Sequence, residues 1–307
     1  MRIPALLLLT LLATPLLSED KKAEPLVPTE EVKAEALAKR PQVPGRLAIT
    51  LRDRQKTSAG KIRERTRKVE WNASETAVII CDMWNGHYCR LAAQRVDAMA
   101  PRMNRVITAA RAHGVLIIHA PSGCMDVYDK TPHRWRMKLA PASKTPIPLM
   151  GWCYRDPQRE PELPVDVSKQ PCDDPLVGKA IRRFSKQHAA IKITGFDGVS
   201  ANGQEIFNVL HREGIRNVVL MGVHTNMCVL GRPFGIRQMV RLGFQVALAR
   251  DLTDAMYDPR QAPYVSHTRG TELVVEHIET YWCASLTGAD LTRVVRGSAD
   301  PVAVGKK

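Results

Sequence analysis

The 307-residue chain contains no Cys-x-x-Cys pair, so a tetrahedral zinc site built on that spacing has no support. Aromatics make up only 5% of residues, and no aromatic-rich basic motif appears. That scarcity argues against a nucleic-acid module, which needs stacking surfaces beside its cations. No internal repeat occurs, which excludes solenoids and propellers. No apolar run is long enough for a comfortable membrane span; the longest, Ile3 to Leu17, is short for one.

That run follows Arg2 and precedes charge at Glu19, the layout of a secretory signal peptide with Ser18 as cleavage site. Export to a periplasmic or extracellular compartment is therefore expected, with no membrane span in the mature form. No cysteine follows the run closely, which argues against a lipoprotein anchor.

What is present points to one large α/β domain. Hydrophobic residues reach 44%, enough for a substantial core. The net charge of +14 reads as a solvated basic surface. Seven cysteines occur. In an oxidising compartment some should pair. Cys153 and Cys172 flank a proline-rich segment and are the expected pair, a bridge stabilising by about 3 kcal/mol on a chain-entropy model.

In chain order, residues 19–70 read as a charged, proline-bearing arm. It ends in two short strands, Leu47–Leu51 and Thr66–Trp71, joined by a Lys/Arg-rich loop. The run AVIIC, ending at Asp82, is apolar on both faces, as expected of a central parallel strand. A helix from Leu91 to His113 and a second buried strand, Val115–Ile118, complete a βαβ unit. Periodicity then fails from 121 to 185, an insertion read as a lid or pocket wall, with helical turns near 176–184. His188–Ile193 is expected as a third strand and Gly203–Arg212 as a helix. Val218–Met221 is the next strand, followed by a helix that starts at Cys228 and stops at Gly243. A strand at Phe244–Leu248 and a helix at Thr271–Trp282 close the domain, taken as 71–290, with 291–307 as a tail. The fold expected is a Rossmann-like three-layer α/β/α arrangement with a mainly parallel sheet of about six strands.

Asp82, Lys192 and Cys228 each fall at or near the end of a separate strand, where open α/β sheets bind ligands. A carboxylate there accepts a thiol proton, a cation favours thiolate, and free N–H groups at a helix start bind an oxyanion. On the segments AVIICDMWN, AAIKI and GVHTNMCV the chain resembles the isochorismatase-like cysteine hydrolases, which include nicotinamidases and carbamoyl-amide hydrolases. The resemblance implies Asp82 as general base, Cys228 as nucleophile and Lys192 as the triad cation, with Lys186 as the other candidate. It also implies a cis peptide at Val223–His224 and an oxyanion hole from the His224 and Cys228 amides. The family's small residue after Val is His224 here, which either crowds the pocket, adds a polar contact or serves as an acid. Trp84, His87 and Trp152 are candidate pocket residues. The Asp-x-His element of metal-binding nicotinamidases is absent from HAPSGCMD, and a lone His119 suits a hydrogen-bonded core position, so no catalytic metal and no cofactor are expected.

The expected activity is hydrolysis of an amide-type C–N bond in a small molecule through a Cys thioester. Vinyl-ether hydrolysis and a non-catalytic secreted binding domain on the same fold remain the alternatives. Homo-oligomerisation is compatible with the resemblance, and no nucleic-acid partner is expected.

Overall fold

The structure, a computed structural model, describes residues 26–298; the expected signal peptide lies outside them. Its elements are α1 (Glu30–Leu37), β1 (Arg46–Lys56), β2 (Ile62–Asn72), β3 (Thr76–Cys81), α2 (Arg90–Ala112), β4 (Leu116–Ala120), α3 (Pro132–Lys138) and β5 (Gly198–Val199). They continue with α4 (Gly203–Arg212), β6 (Asn217–Val223), α5 (Cys228–Gly231), α6 (Ile236–Arg241), β7 (Gln245–Asp254), α7 (His267–Tyr281) and β8 (Ala284–Leu286). The sheet has eight strands in the order β2-β1-β8-β7-β6-β3-β4-β5. The run from β8 to β5 is parallel, while β1 is antiparallel to both β2 and β8. The expected parallel sheet is thus present, extended at one edge by a hairpin longer than the two short strands anticipated.

Alternation along β3 explains the three layers. Ala77, Ile79 and Cys81 point into one core with Ile206, Leu210, Val229, Met239 and Ile278 of α4–α7. Val78 and Ile80 point into the other, against Val96, Ala100, Met103, Ile107 and Ala110 of α2. The α2 residues recur every three or four positions, which puts them on one helix face. Strand β3 is buried on both faces, so replacing Ile79 with Ala should cost about 2–5 kcal/mol.

Four local expectations are corrected. His188–Ile193 is not a strand: the Ile191 N–H returns to the His188 carbonyl, and the Ala190 N–H to His188 Nδ1, closing a turn. Only Ile191 of this stretch is buried, so the Ala-Ala-Ile run has too little apolar surface to hold a sheet position. The helix expected over 228–243 is two helices, because Pro233 lacks the N–H that an unbroken helix needs. Residues 176–184 form turns and extended chain, and the insertion's helix is α3 instead. Finally, the disulfide is Cys89–Cys172, not Cys153–Cys172. Cys153 is a free buried thiol bonded to Gln238 Oε1 at 3.2 Å, while the bridge ties the insertion to the loop after β3.

Candidate active site

The parallel register brings the ends of three strands together, with Cys81 opposite both Gly222 and Ala120. Gly222 is needed there. Its φ is +108°, and a Cβ would overlap the Cys81 carbonyl, so no other residue lets β3 and β6 approach so closely. Asp82 follows β3 at φ +49°, in the left-handed region, which asparagine and aspartate tolerate better than most residues. The turn aims its carboxylate along the sheet edge, where Oδ1 accepts the Ser122 N–H at 2.8 Å.

Cys228 opens α5 with its thiol directed at the Asp82 carboxylate. Burial pushes the thiol up to about 12, and the neighbouring Asp82 charge adds to the rise. Burial also raises the Asp82 carboxyl, while Arg232 and the hydrogen bonds from Cys228 and Ser122 pull it back. The resting thiol is therefore neutral and lies beside the Asp82 carboxyl. The Val223–His224 peptide is cis. Among the described residues, the backbone N–H groups of His224 and Cys228 have no hydrogen-bond partner, while the His224 carbonyl accepts from Met227 and Val229. Two free amides beside a thiol are an arrangement suited to a developing oxyanion.

The cation at this site is neither lysine. Lys192 is exposed; its Nζ donates to the Ala189 carbonyl and its N–H to Asn104 Oδ1. Lys186 is also exposed, and only its backbone takes part, pairing with Asn85. Arg232 occupies the position instead, with Nη2 and Nε 3.3 and 3.4 Å from Asp82 Oδ2. Because Pro233 ends α5, Arg232 is extended (φ −63°, ψ 157°) and its side chain reaches back over the helix start. The sequence signal for this residue is the Arg232-Pro233 pair, which disfavours a continuous helix there.

Of the remaining pocket candidates, Trp152 lines a cavity, while Trp84 and His87 pack against neighbouring rings. Trp84 stacks on Phe184 at 4.3 Å and donates its Nε1–H to the Ser122 carbonyl. His87 meets His224 edge-on at 5.0 Å. Burial lowers His87 to about 4 and His224 to about 3, so both are neutral near pH 7 and His224 is not an acid there. The His224 Nε2 is buried and has no hydrogen-bond partner. Trp152 packs on Gly231, where a Cβ would overlap its ring, and lies 5.6 Å from the Arg232 guanidinium. A cavity of about 660 Å³ opens beside Trp152 and Met227, lined also by Tyr154, Leu163 and Val165 of the insertion. His119 is a core group, bonded through both ring nitrogens to Gln187 and Asp197. Cys89, Cys172 and Asp173 lie close enough for a metal, but the two sulfurs are bonded to each other and supply no thiolate.

The sequence model described as the isochorismatase domain matches residues 76–270. The chain belongs to the isochorismatase family. It is a hydrolase of that family, and every site residue named above lies within the matched region. The ureidoacrylate amidohydrolase RutB of Caulobacter vibrioides is 27% identical over 167 residues, covering 50% of this chain and 67% of the relative. RutB of Caulobacter segnis is 26% identical over 178 residues, covering 54% and 67%. A cysteine hydrolase structure from Pseudomonas syringae pv. phaseolicola shares 16% identity, covering 72% of this chain and 92% of that one, at a TM-score of 0.44.

Proposed function

We propose that this hydrolase cleaves an amide-type C–N bond of a small molecule through a thioester on Cys228. Asp82 takes the thiol proton as sulfur attacks the carbonyl carbon, and the His224 and Cys228 amides receive the oxyanion. Collapse of the tetrahedral intermediate expels ammonia or an amine, which leaves with the proton from Asp82. Water then attacks the thioester, giving its proton to Asp82 and restoring the thiol. Arg232 keeps Asp82 ionised before the first step and counters the charge on sulfur during it.

The observation that carries this reading is the thiol facing a carboxylate beside two unpartnered amides. The curated relatives' name, ureidoacrylate amidohydrolase, supports an amide or carbamoyl substrate. Ammonia release from a panel of primary amides and carbamoyl compounds tests it, with mass spectrometry of the Cys228 peptide for an acyl adduct. Full turnover by Cys228→Ala would sink the proposal. Export is part of the same reading, supported by the layout of residues 1–18 and by a disulfide that an oxidising compartment maintains. The N-terminal residue of the mature protein, read by mass spectrometry, checks it.

A further inference from the structure

We infer that the β1–β2 hairpin is a docking surface for the phosphate headgroups of an anionic phospholipid membrane. Residues 46–72 hold nine lysines and arginines against three acids, supplying six of the chain's fourteen net positive charges. The hairpin lies outside the family domain, which begins at residue 76. It is an element added to that domain, and the charges of Arg63, Arg65 and Arg67 pair with no carboxylate outside the hairpin among the described residues. β2 is the edge strand of the sheet, and every residue from Ile62 to Lys68 is exposed.

The two faces of the hairpin differ. Arg52 and Arg54, on the face toward α7, are neutralised by Glu279, Glu276 and Glu64. Register puts Arg63, Arg65 and Arg67 on the opposite face, across from Gln55, Asp53 and Leu51. Alternate residues of a strand stand about 6.6–6.8 Å apart, so these three form an evenly spaced row of guanidinium groups. Asp53 is shared by Arg65 at 2.9 Å and Arg67 at 3.7 Å. Among the described residues, Arg63 has no carboxylate partner, and neither do Lys61 and Lys68 nearby.

Edge protection alone does not account for this pattern. Charges of either sign blunt an edge strand, whereas here one sign is in large excess. Nucleic acid is disfavoured because the hairpin's one aromatic, Trp71, is buried and no base can stack on it. An exposed row of arginines along an edge strand suits the phosphates of an anionic surface. The chain also carries an apolar stretch, Ile3–Leu17, which brings it to a membrane at least during export.

The test is co-sedimentation of the full chain with phosphatidylglycerol and phosphatidylcholine vesicles at low and high salt. Residues 1–18 are common to all variants, so differences report the hairpin. The triple variant Arg63→Gln, Arg65→Gln, Arg67→Gln should bind phosphatidylglycerol about a hundredfold more weakly. A control losing the same charge elsewhere, Arg105→Gln, Lys130→Gln, Lys144→Gln, should stay within about threefold of the parent. Replacing the three arginines with lysine should restore most binding, and thermal melts confirm folding. Equal losses in the hairpin and control variants would overturn the proposal. So would salt-insensitive binding that does not distinguish the two lipids. A hairpin variant that loses retention on heparin or an oligonucleotide, yet binds vesicles as before, would also overturn it in favour of a polymer.

Discussion

Removing the Arg232 guanidinium isolates what the cation does. At 3.3 Å from Asp82 Oδ2, a unit charge pair at an effective dielectric of 20 interacts by about 5 kcal/mol. The arginine side chain is 30% exposed, so water and salt screen more than half of this. What remains, about 2 kcal/mol, is about thirtyfold in the ratio of ionised to protonated Asp82. Burial already raises that carboxyl, so loss of the cation raises it further. On the proposed mechanism Asp82 must be ionised to act, so activity is lost as pH falls through its titration. In Arg232→Met, the acid limb of the kcat/KM profile therefore moves to higher pH, and activity below the limb falls by up to about thirtyfold. Arg232→Lys keeps the charge and should retain most of the limb's position. Lys192→Ala, at a surface site, should change kcat/KM by no more than about twofold. An unmoved limb in Arg232→Met, together with a shifted limb in Lys192→Ala, would refute the reasoning and return the role to the lysine.

Three further outcomes follow from the same structure. With the Cys228 thiol pushed up to about 12, iodoacetamide labelling of that residue in the resting enzyme should keep rising beyond pH 9; a plateau at neutral pH would show a resting thiolate instead. Reduction of Cys89–Cys172, which spans 83 residues, should lower stability by about 4–5 kcal/mol on the chain-entropy model. The reductant's effect on Tm should persist in Cys153→Ala and vanish in Cys172→Ala. Glu160 is buried; His277 and Arg237 overcome its desolvation and hold its carboxyl down to about 2. Because this folded value lies below the unfolded one, the stabilisation is present above about pH 4.5 and is lost as pH falls through about 2. Glu160→Gln should therefore cost about 3 kcal/mol in urea unfolding at pH 7, with the gap closing toward pH 2.

The parallel core was legible because AVIIC and the Val218–Met221 run are continuous, β-branched and bounded by punctuation that no other element explains. Asp82 and Cys228 were legible for the same reason, since strand ends are where side chains leave the core. The cation was not. AAIKI has the composition of a strand, yet Ile191 alone buries, and the local turn at His188 outcompetes a sheet position. Arg232 acts through geometry that only the chain break at Pro233 creates. The disulfide partner was equally hidden, because proximity in sequence favoured Cys153. Cys89 reaches Cys172 only after the loop beyond β3 folds back. There Asp173 and Asp174 bind Arg95 and Arg90 of α2 and draw the insertion over it.

Cys228 and Arg232 sit at the two ends of one four-residue helix. The Cys228 thiol and the Arg232 guanidinium are therefore positioned by one short element, while Asp82 is positioned by the end of β3. The three groups thus rest on two elements, not three. Any displacement of the helix stretches the guanidinium contact and the thiol contact to Asp82 together, so the ion pair acts as a gauge of whether the thiol is in range. An arginine supplied from a separate loop would leave those two distances free to drift apart.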